Sequence, residues 1–475
     1  MIEIICKEKL YTYNAYHITK AFFPEAEICQ RVDEEQEPSV MLIGKGGPCF
    51  SIALKLPEGE RAEQKHQVTK LLYQRLSKET GKSLAWGMLT GVRPTKLVMQ
   101  KLENNIEEKE IIKYLKEEYF VSDKKADLAV QIARREKQLL KKLRPGGFSL
   151  YVGIPFCPSI CSYCSFSSSP VSLWKGRMDD YLDALCKEIW ALGELAGGRK
   201  PDTVYIGGGT PTSLSAGQLD HLLAVIEEAF SLEAVLEYTV EAGRPDSITR
   251  EKLEIIRRHM ATRISVNPQT MQQKTLDLVG RRHTVQDVKD IFHMAREMGF
   301  DNINMDLIAG LPGETVEDME DTLAKIKALS PDNLTVHSLA IKRASKLNQL
   351  EEFKCSASQE KERAAILEEM IVMAQDAAKE MGMTPYYLYR QKNIAGSFEN
   401  VGYAKVDKAG IYNILIMEEK QTIVACGAGA STKIVFPGEI DGQIQYRIER
   451  TENVKDLKEY INRIDEMIER KGEWL

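Results

Sequence analysis

SLYVGIPFCPSICSYCSFSSSP, Ser149 to Pro170, opens with a short apolar run and then sets Cys157, Cys161 and Cys164 in a C-x3-C-x2-C spacing. Iron–sulfur clusters are usually held by four Cys thiolates. A triplet with no fourth cysteine nearby can hold three irons of a cubane and leave one open to a ligand that is not protein. Zinc is the competing occupant. It prefers four closed ligands or an open site built with His, and no His lies in this stretch.

Outward from the cysteines, short apolar strands alternate with amphipathic helices. SLYVGI precedes the Cys loop and a helix over about 178–195; DTVYIG precedes a glycine loop and a helix over about 216–230. LEYTVEA follows with a helix near 249–257, RISVNP with helices to about 298, NINMDLIAG with a helix near 316–329, and then NLTVHSLA. Such alternation predicts a parallel sheet, and right-handed crossovers curl it toward a barrel. Six units fall short of the eight that close a TIM barrel, so the expected fold is α/β, a partial (β/α)6 barrel. Ligands of such sheets sit at the carboxyl ends of the strands, where the Cys loop would cap the mouth.

RPGG at Arg144–Gly147 breaks the charged helical pattern of residues 106–143 and sets a boundary. We expect an N-terminal α+β domain over 1–145, the barrel over 146–345 and a C-terminal α/β region over 346–475. IEIICK, a run around Tyr13–Phe23, VMLIG and FSIALKL read as strands from their β-branched and aromatic content; Arg61–Thr80 reads as a helix with Val68, Leu71, Leu72 and Leu76 on one face. LTGVRPTKL, Leu89–Leu97, is a turn into a helix whose Arg93 and Lys96 could grip an anion. Beyond Ala340 the pattern predicts a helix over about 358–381, strands at PYYLYRQ, IYNILIM and TIVACG, and a terminal helix over about 453–470.

The 475 residues carry a net charge of -6, with 64 Lys and Arg against 70 Asp and Glu, so no global basic field points to nucleic acid. No apolar run approaches the ~18 residues of a membrane span, and MIEIICKEKLY lacks a signal pattern. Nine cysteines without regular spacing outside the triplet suit a reducing, cytoplasmic setting. Cys6, Cys29, Cys49, Cys186, Cys355 and Cys426 read as small buried hydrophobes.

YVGIPFCPSICSYC, the IGGGTPT loop at Ile206–Thr212, Glu241 at the end of the third strand and NMDLIAGLPGET together resemble the radical S-adenosylmethionine enzymes, over about Ser149–Ala340. Within them the chain is similar to the oxygen-independent coproporphyrinogen oxidase group. The long N-terminal region, LTGVRPTKL, YYLYRQKNIAGSFENVGYAK and CGAGAST resemble in particular its HemZ-type coproporphyrinogen dehydrogenases. The resemblance implies a [4Fe-4S] cluster on Cys157, Cys161 and Cys164, whose open iron chelates S-adenosylmethionine and whose electron releases methionine and a 5'-deoxyadenosyl radical. It implies contacts to that S-adenosylmethionine from Tyr151, Gly208, Glu241 and Ala340. Contacts to a second molecule of it fall on Tyr163, Gly209, Thr210, Gln269, Arg281 and Asp306. Gly207, Gly208 and Gly209 would let backbone approach the ligand closely.

The implied reaction removes a hydrogen atom from a porphyrinogen propionate, then loses carbon dioxide and one electron, leaving a vinyl group. Done twice, it converts coproporphyrinogen III to protoporphyrinogen IX. The partners implied are a low-potential electron donor of flavodoxin or ferredoxin type and an electron acceptor. Arg244, Lys342, Arg343, Arg390 and Lys392 are candidate cations for the four substrate carboxylates. The oxidases proper have Cys two positions after the triplet, where this chain has Phe166. The related heme chaperones have an aromatic there, but their His-Asn pair is here Glu399-Asn400, and no Trp follows Tyr403. A heme-binding carrier and a radical enzyme on another substrate remain the alternatives.

Overall fold

The computed structural model describes residues 1–24, 26–44, 51–55, 60–91, 93–339, 347, 357–390, 398–440 and 443–472. Ala340, Lys342, Arg343, Lys392, Cys49 and Cys355 lie outside them. The chain forms two compact units, one of Met1–Arg135, Ser356–Ala364 and Leu388–Glu399, the other of Glu136–Cys355, Ala365–Tyr387 and Asn400–Leu475.

In the first unit, β1 (Ile2–Cys6), α1 (Lys9–Phe22), β2 (Ile28–Val32), β3 (Val40–Gly44), β4 (Ser51–Leu54) and α2 (Arg61–Thr80) build a four-stranded sheet, order β2-β1-β3-β4, with two helices. The run around Tyr13–Phe23, expected as a strand, is α1. Tyr11, Ala15, Ile18 and Phe22 are buried at spacings of four, three and four, a helical stripe that outweighs the aromatic content. Cys29, expected inside, is exposed on the edge strand β2. Then come α3 (Thr95–Glu103), α4 (Glu108–Tyr119) and α5 (Asp123–Leu140).

The second unit begins its sheet at β5 (Phe148–Ile154), followed by a two-residue parallel pair, β6 (Phe156–Cys157) and β7 (Ser169–Pro170), that brackets the Cys loop. The repeat continues through α6 (Met178–Leu195), β8 (Pro201–Gly208), α7 (Ala216–Ala229), β9 (Glu237–Gly243), α8 (Arg250–Arg258) and β10 (Arg263–Val266). It closes with α9 (Gln273–Leu278), α10 (Val285–Glu297), β11 (Ile303–Ala309), α11 (Val316–Leu329) and β12 (Asn333–Ser338). Helix starts are written locally: Ser215/Gln218, Thr284/Asp287 and Thr315/Asp318 form capping boxes for α7, α10 and α11. Strands β5, β8, β9, β10, β11 and β12 pair in that order, all parallel, the partial (β/α)6 barrel.

Along these strands the two faces alternate. Leu150, Val152, Val204, Ile206, Val240, Ile264, Met305, Leu307 and Leu334 are buried apolar residues. The residues between them are polar and bond to one another. Thr203 Oγ1 donates to Ser149 Oγ (2.8 Å), Thr239 Oγ1 to Glu237 Oε1 (2.8 Å), Asn304 Nδ2 to Asp306 Oδ1 (2.7 Å) and Thr335 Oγ1 to Asn304 Oδ1 (3.1 Å).

The remaining elements are α12 (Ala357–Glu380), β13 (Thr384–Arg390), β14 (Glu399–Ala404), α13 (Ile411–Glu418), β15 (Ile423–Cys426), β16 (Ser431–Ile440), β17 (Gln443–Glu452), α14 (Leu457–Asn462) and α15 (Ile464–Gly472). They extend the sheet to eleven strands, order β13-β14-β12-β11-β10-β9-β8-β5-β15-β16-β17. IYNILIM, expected as a strand, is α13, capped by the Glu237 carboxylate, which accepts from the backbone N–H of Ile411 and of Tyr412. Its Tyr412 ring stacks on Tyr205 at 4.3 Å, so the helix lies against the polar strand face. β15 pairs parallel with β5, while β16 and β17 form a hairpin that the chain's pattern did not announce. Among the described residues no helix is long and apolar enough to cross a membrane.

Candidate active site at the carboxyl ends of the strands

Cys157 and Cys161 are buried and Cys164 half-buried, all three as free thiols on the loop after β5. Cys164 N donates to Cys161 O (3.1 Å), a turn that holds the last two cysteines together. Ser162 N donates to Val279 O (3.0 Å) and Ser159 Oγ to Gly280 O (3.2 Å), tying the loop to the segment after β10. Side-chain donors lie against the sulfurs: Thr210 Oγ1 is 3.5 Å from Cys157 Sγ, and Arg244 Nη1 is 3.5 Å from Cys161 Sγ, which the Tyr163 hydroxyl also meets. No three His, Cys, Asp or Glu side chains converge on a single metal ion among the described residues. A cubane spreads three thiolates over three irons, and soft sulfur donors with N–H and O–H groups on them suit such a cluster.

The glycine loop after β8 fits against this loop backbone to backbone. Gly209 N donates to Ile154 O (2.8 Å) and Thr210 N to Phe156 O (2.7 Å). A Cβ on Gly209 would stand 2.6 Å from Phe156 O and 3.0 Å from Cys157 Sγ. Gly208, at φ +109, holds a conformation closed to other L-residues. Gly209→Ala is therefore expected to push the Cys157 segment outward and lower cluster loading several-fold, read as iron and sulfide per chain after anaerobic reconstitution.

Glu241 on β9 accepts from Tyr205 OH, and the Tyr205 ring stacks 6.3 Å from that of Tyr151. Burial pushes the Glu241 carboxyl up to about 7, with nearby Asp306 adding to it against the bond from Tyr205. Burial likewise raises the Tyr151 hydroxyl. At Asp306 burial also opposes charge, yet His337 at 3.9 Å, Asn304 and Arg263 hold the carboxyl below its ordinary range.

Asn267, after β10, links the second group of predicted residues. Its carbonyl accepts from Arg281 Nη2 (2.7 Å) and its Oδ1 from Asp306 N (3.2 Å), while Gln269 N donates to Asp306 O (2.9 Å). Arg281 Nη1 donates to Tyr163 OH (3.0 Å). Gln269 Oε1 and Arg281 Nε are buried with no hydrogen-bond partner among the described residues, which suits a polar ligand beside them.

The structure thus brings Cys157, Cys161, Cys164, Gly208, Gly209, Thr210, Tyr151 and Glu241 into one neighbourhood. Tyr163, Gln269, Arg281 and Asp306 form a second, adjoining one. Ala340 lies outside the described residues. Arg244, expected to meet substrate carboxylates, is instead buried and bonded to Asp246, Ser159 and Cys161. Arg390 is buried too, donating to Leu89 O beneath the Trp86 ring. Asn267, Asn304, His337 and Arg263 were not singled out from sequence. Their signal was there, in polar residues at every second position of otherwise apolar strands such as NINMD and NLTVHS.

The radical SAM superfamily model matches residues 151–326. The chain is 39% identical over 419 residues to the oxygen-independent coproporphyrinogen-III oxidase-like protein HemZ of Bacillus subtilis, covering 86% of this chain and 81% of that protein. It is 33% identical to the heme chaperone HemW of the same organism, covering 67% and 76%. It is 35% identical to the oxygen-independent coproporphyrinogen III oxidase of Escherichia coli over only 40% and 42%. The structure is similar to that of the E. coli coproporphyrinogen III oxidase HemN, a radical SAM enzyme, at TM-score 0.54 and 24% identity, over 70% of this chain and 72% of that one. Cys triplet, glycine loop, strand order and relatives agree: the chain belongs to the radical SAM enzymes, in their oxygen-independent coproporphyrinogen III oxidase-like group.

Proposed function

We propose that this enzyme oxidatively decarboxylates propionate side chains of coproporphyrinogen III to vinyl groups, giving protoporphyrinogen IX. The observation that carries the reading is the assembly of Cys loop, glycine loop and Glu241 toward the carboxyl ends of six parallel strands, with Asp306 beside them on β11, in a chain that spans 81% of a coproporphyrinogen oxidase-like relative. The cluster and S-adenosylmethionine, when bound, supply the hydrogen-abstracting radical; carbon dioxide leaves and one electron per propionate passes to an acceptor. The chain's own residues position and desolvate. Tyr151, Gly208 and Glu241 would hold the cluster-bound S-adenosylmethionine. Tyr163, Gly209, Thr210, Gln269, Arg281 and Asp306 would hold a second molecule, with Asp306 as the charged carboxylate and Arg281 as partner for an amino-acid carboxylate.

The deciding assay is anaerobic: reconstituted protein, S-adenosylmethionine, a low-potential reductant, an electron acceptor and coproporphyrinogen III. Formation of vinyl product is expected. Cleavage of S-adenosylmethionine with no vinyl product in the presence of a good acceptor would overturn the substrate while leaving the radical chemistry. Heme uptake is the opposite result. Glu399, at the chaperones' His position, is buried and accepts from Trp86 Nε1 (2.9 Å) and Lys125, a role in packing rather than in metal ligation. We expect no Soret band on heme titration.

If Glu241 takes the ligand's ammonium or sulfonium charge, only its ionised form binds. With its carboxyl pushed up to about 7, it is protonated below that pH. Apparent affinity should then weaken toward tenfold per pH unit from about pH 7 downward. Anaerobic equilibrium dialysis from pH 5 to 9 checks this: Glu241→Gln should bind weakly with a flat profile, and a flat wild-type profile would refute the role.

A further inference from the structure

We propose that Arg244 tunes the cluster: its buried guanidinium donates to the Cys161 sulfur and raises the potential at which the cluster accepts an electron. The inference rests on reading the three cysteines as cluster ligands. Arg244 directly follows β9 and is 5% exposed. Its Nη1 lies 3.5 Å from Cys161 Sγ and 2.7 Å from the Ser159 carbonyl. On its other side, Nε and Nη2 donate to the two carboxylate oxygens of Asp246 at 2.9 and 2.6 Å.

The geometry is local in origin. Pro245 opens a single 3-10 turn over Pro245–Ser247, which brings Asp246 back under the guanidinium two residues on. The planar fork of Arg then has a fixed orientation, one edge on the carboxylate and one on the Cys loop. The pair is a dipole with its positive end at the sulfur. In buried surroundings a charge at this distance acts far more strongly than in water, and hydrogen bonds to cluster sulfurs are among the determinants of cluster potential. Reduction adds negative charge, which that positive end stabilises. The Thr210 hydroxyl on Cys157 acts in the same sense with a neutral donor. The step concerned is transfer of one electron from a low-potential one-electron carrier; no bond is made or broken at Arg244.

A simple strut would also tie Ser159 in place, so the readout must separate the two roles. Wild type, Arg244→Gln and Arg244→Lys are reconstituted anaerobically and iron and sulfide per chain are counted. Each is then titrated with dithionite through redox mediators, without S-adenosylmethionine, and followed by electron paramagnetic resonance. Arg244→Gln is expected to load the cluster and to lower its midpoint by at least a tenfold change in the reduction equilibrium, 59 mV for one electron, with Arg244→Lys recovering part. A loaded Arg244→Gln with an unmoved midpoint overturns the proposal and leaves a strut. If Arg244→Gln does not load, Asp246→Asn decides: with the counter-charge gone the midpoint should rise, and an unmoved one overturns the proposal. A wild type that loads no cluster refutes the reading of the cysteines, and the inference with it.

Discussion

Cys161→Ala is expected to leave a folded chain that loads no stable cluster and cleaves no S-adenosylmethionine. Nothing in the loop's backbone depends on the thiol. The turn is closed by Cys164 N on Cys161 O, and the loop is held by Ser162 N on Val279 O. What is lost is one of the three thiolates of the C-x3-C-x2-C motif. Iron per chain should fall from about four to below one, with far-ultraviolet circular dichroism unchanged. Cys186→Ala is the matched control. That thiol is buried on α6, burial pushes it up to about 11, and it should have no part in loading. A Cys161→Ala protein with a full iron complement would show that the triplet does not hold the cluster.

The largest stability loss should come from a site with no part in the chemistry. Glu188 on α6 and Lys471 on α15 are each fully buried and paired. The carboxylate also accepts from Gly427 N (2.8 Å), Asn453 Nδ2 (2.8 Å) and Tyr460 OH (2.6 Å). Glu188→Ala strands a buried ammonium and removes the acceptor of three further donors. Breaking such a pair from one side costs about 3–5 kcal/mol. Lys471→Met should cost less, because the three neutral donors still satisfy the carboxylate. Urea unfolding measures both, and the ordering is the sharper test. A loss under about 1 kcal/mol for Glu188→Ala would mean that water or rearrangement takes over the ammonium.

How far the sequence reveals this molecule depends on where each signal resides. The parallel barrel was readable because strand, turn and capped helix recur locally, as at Ser215/Gln218 and Thr315/Asp318. Two helices run against their local pattern, for one reason: α1 and α13 are rich in aromatic and β-branched residues whose helical stripe is short. α13 is moreover stabilised by Glu237, 174 residues away, which no local pattern contains. Thiol and glycine motifs carry their geometry in their spacing. Arg244 does not. As a charged residue at a strand end it suggested a substrate contact, and only the folded chain shows it turned inward to Cys161.

The pairing of β15 with β5 has a consequence for biosynthesis. Ser149 N bonds to Thr422 O, so the strand that leads into the Cys loop gains one of its two neighbours only after about 270 further residues have been made. At about 5–20 residues per second, β5 would spend tens of seconds with a bare edge, and pairings of such long sequence separation form slowly. A cluster delivered in that interval would meet a loop tied to Val279 and Gly280 but entered by a strand with one bare edge. Synthesis of β15, rather than emergence of the cysteines, would then set when the strand that enters the Cys loop has both of its neighbours.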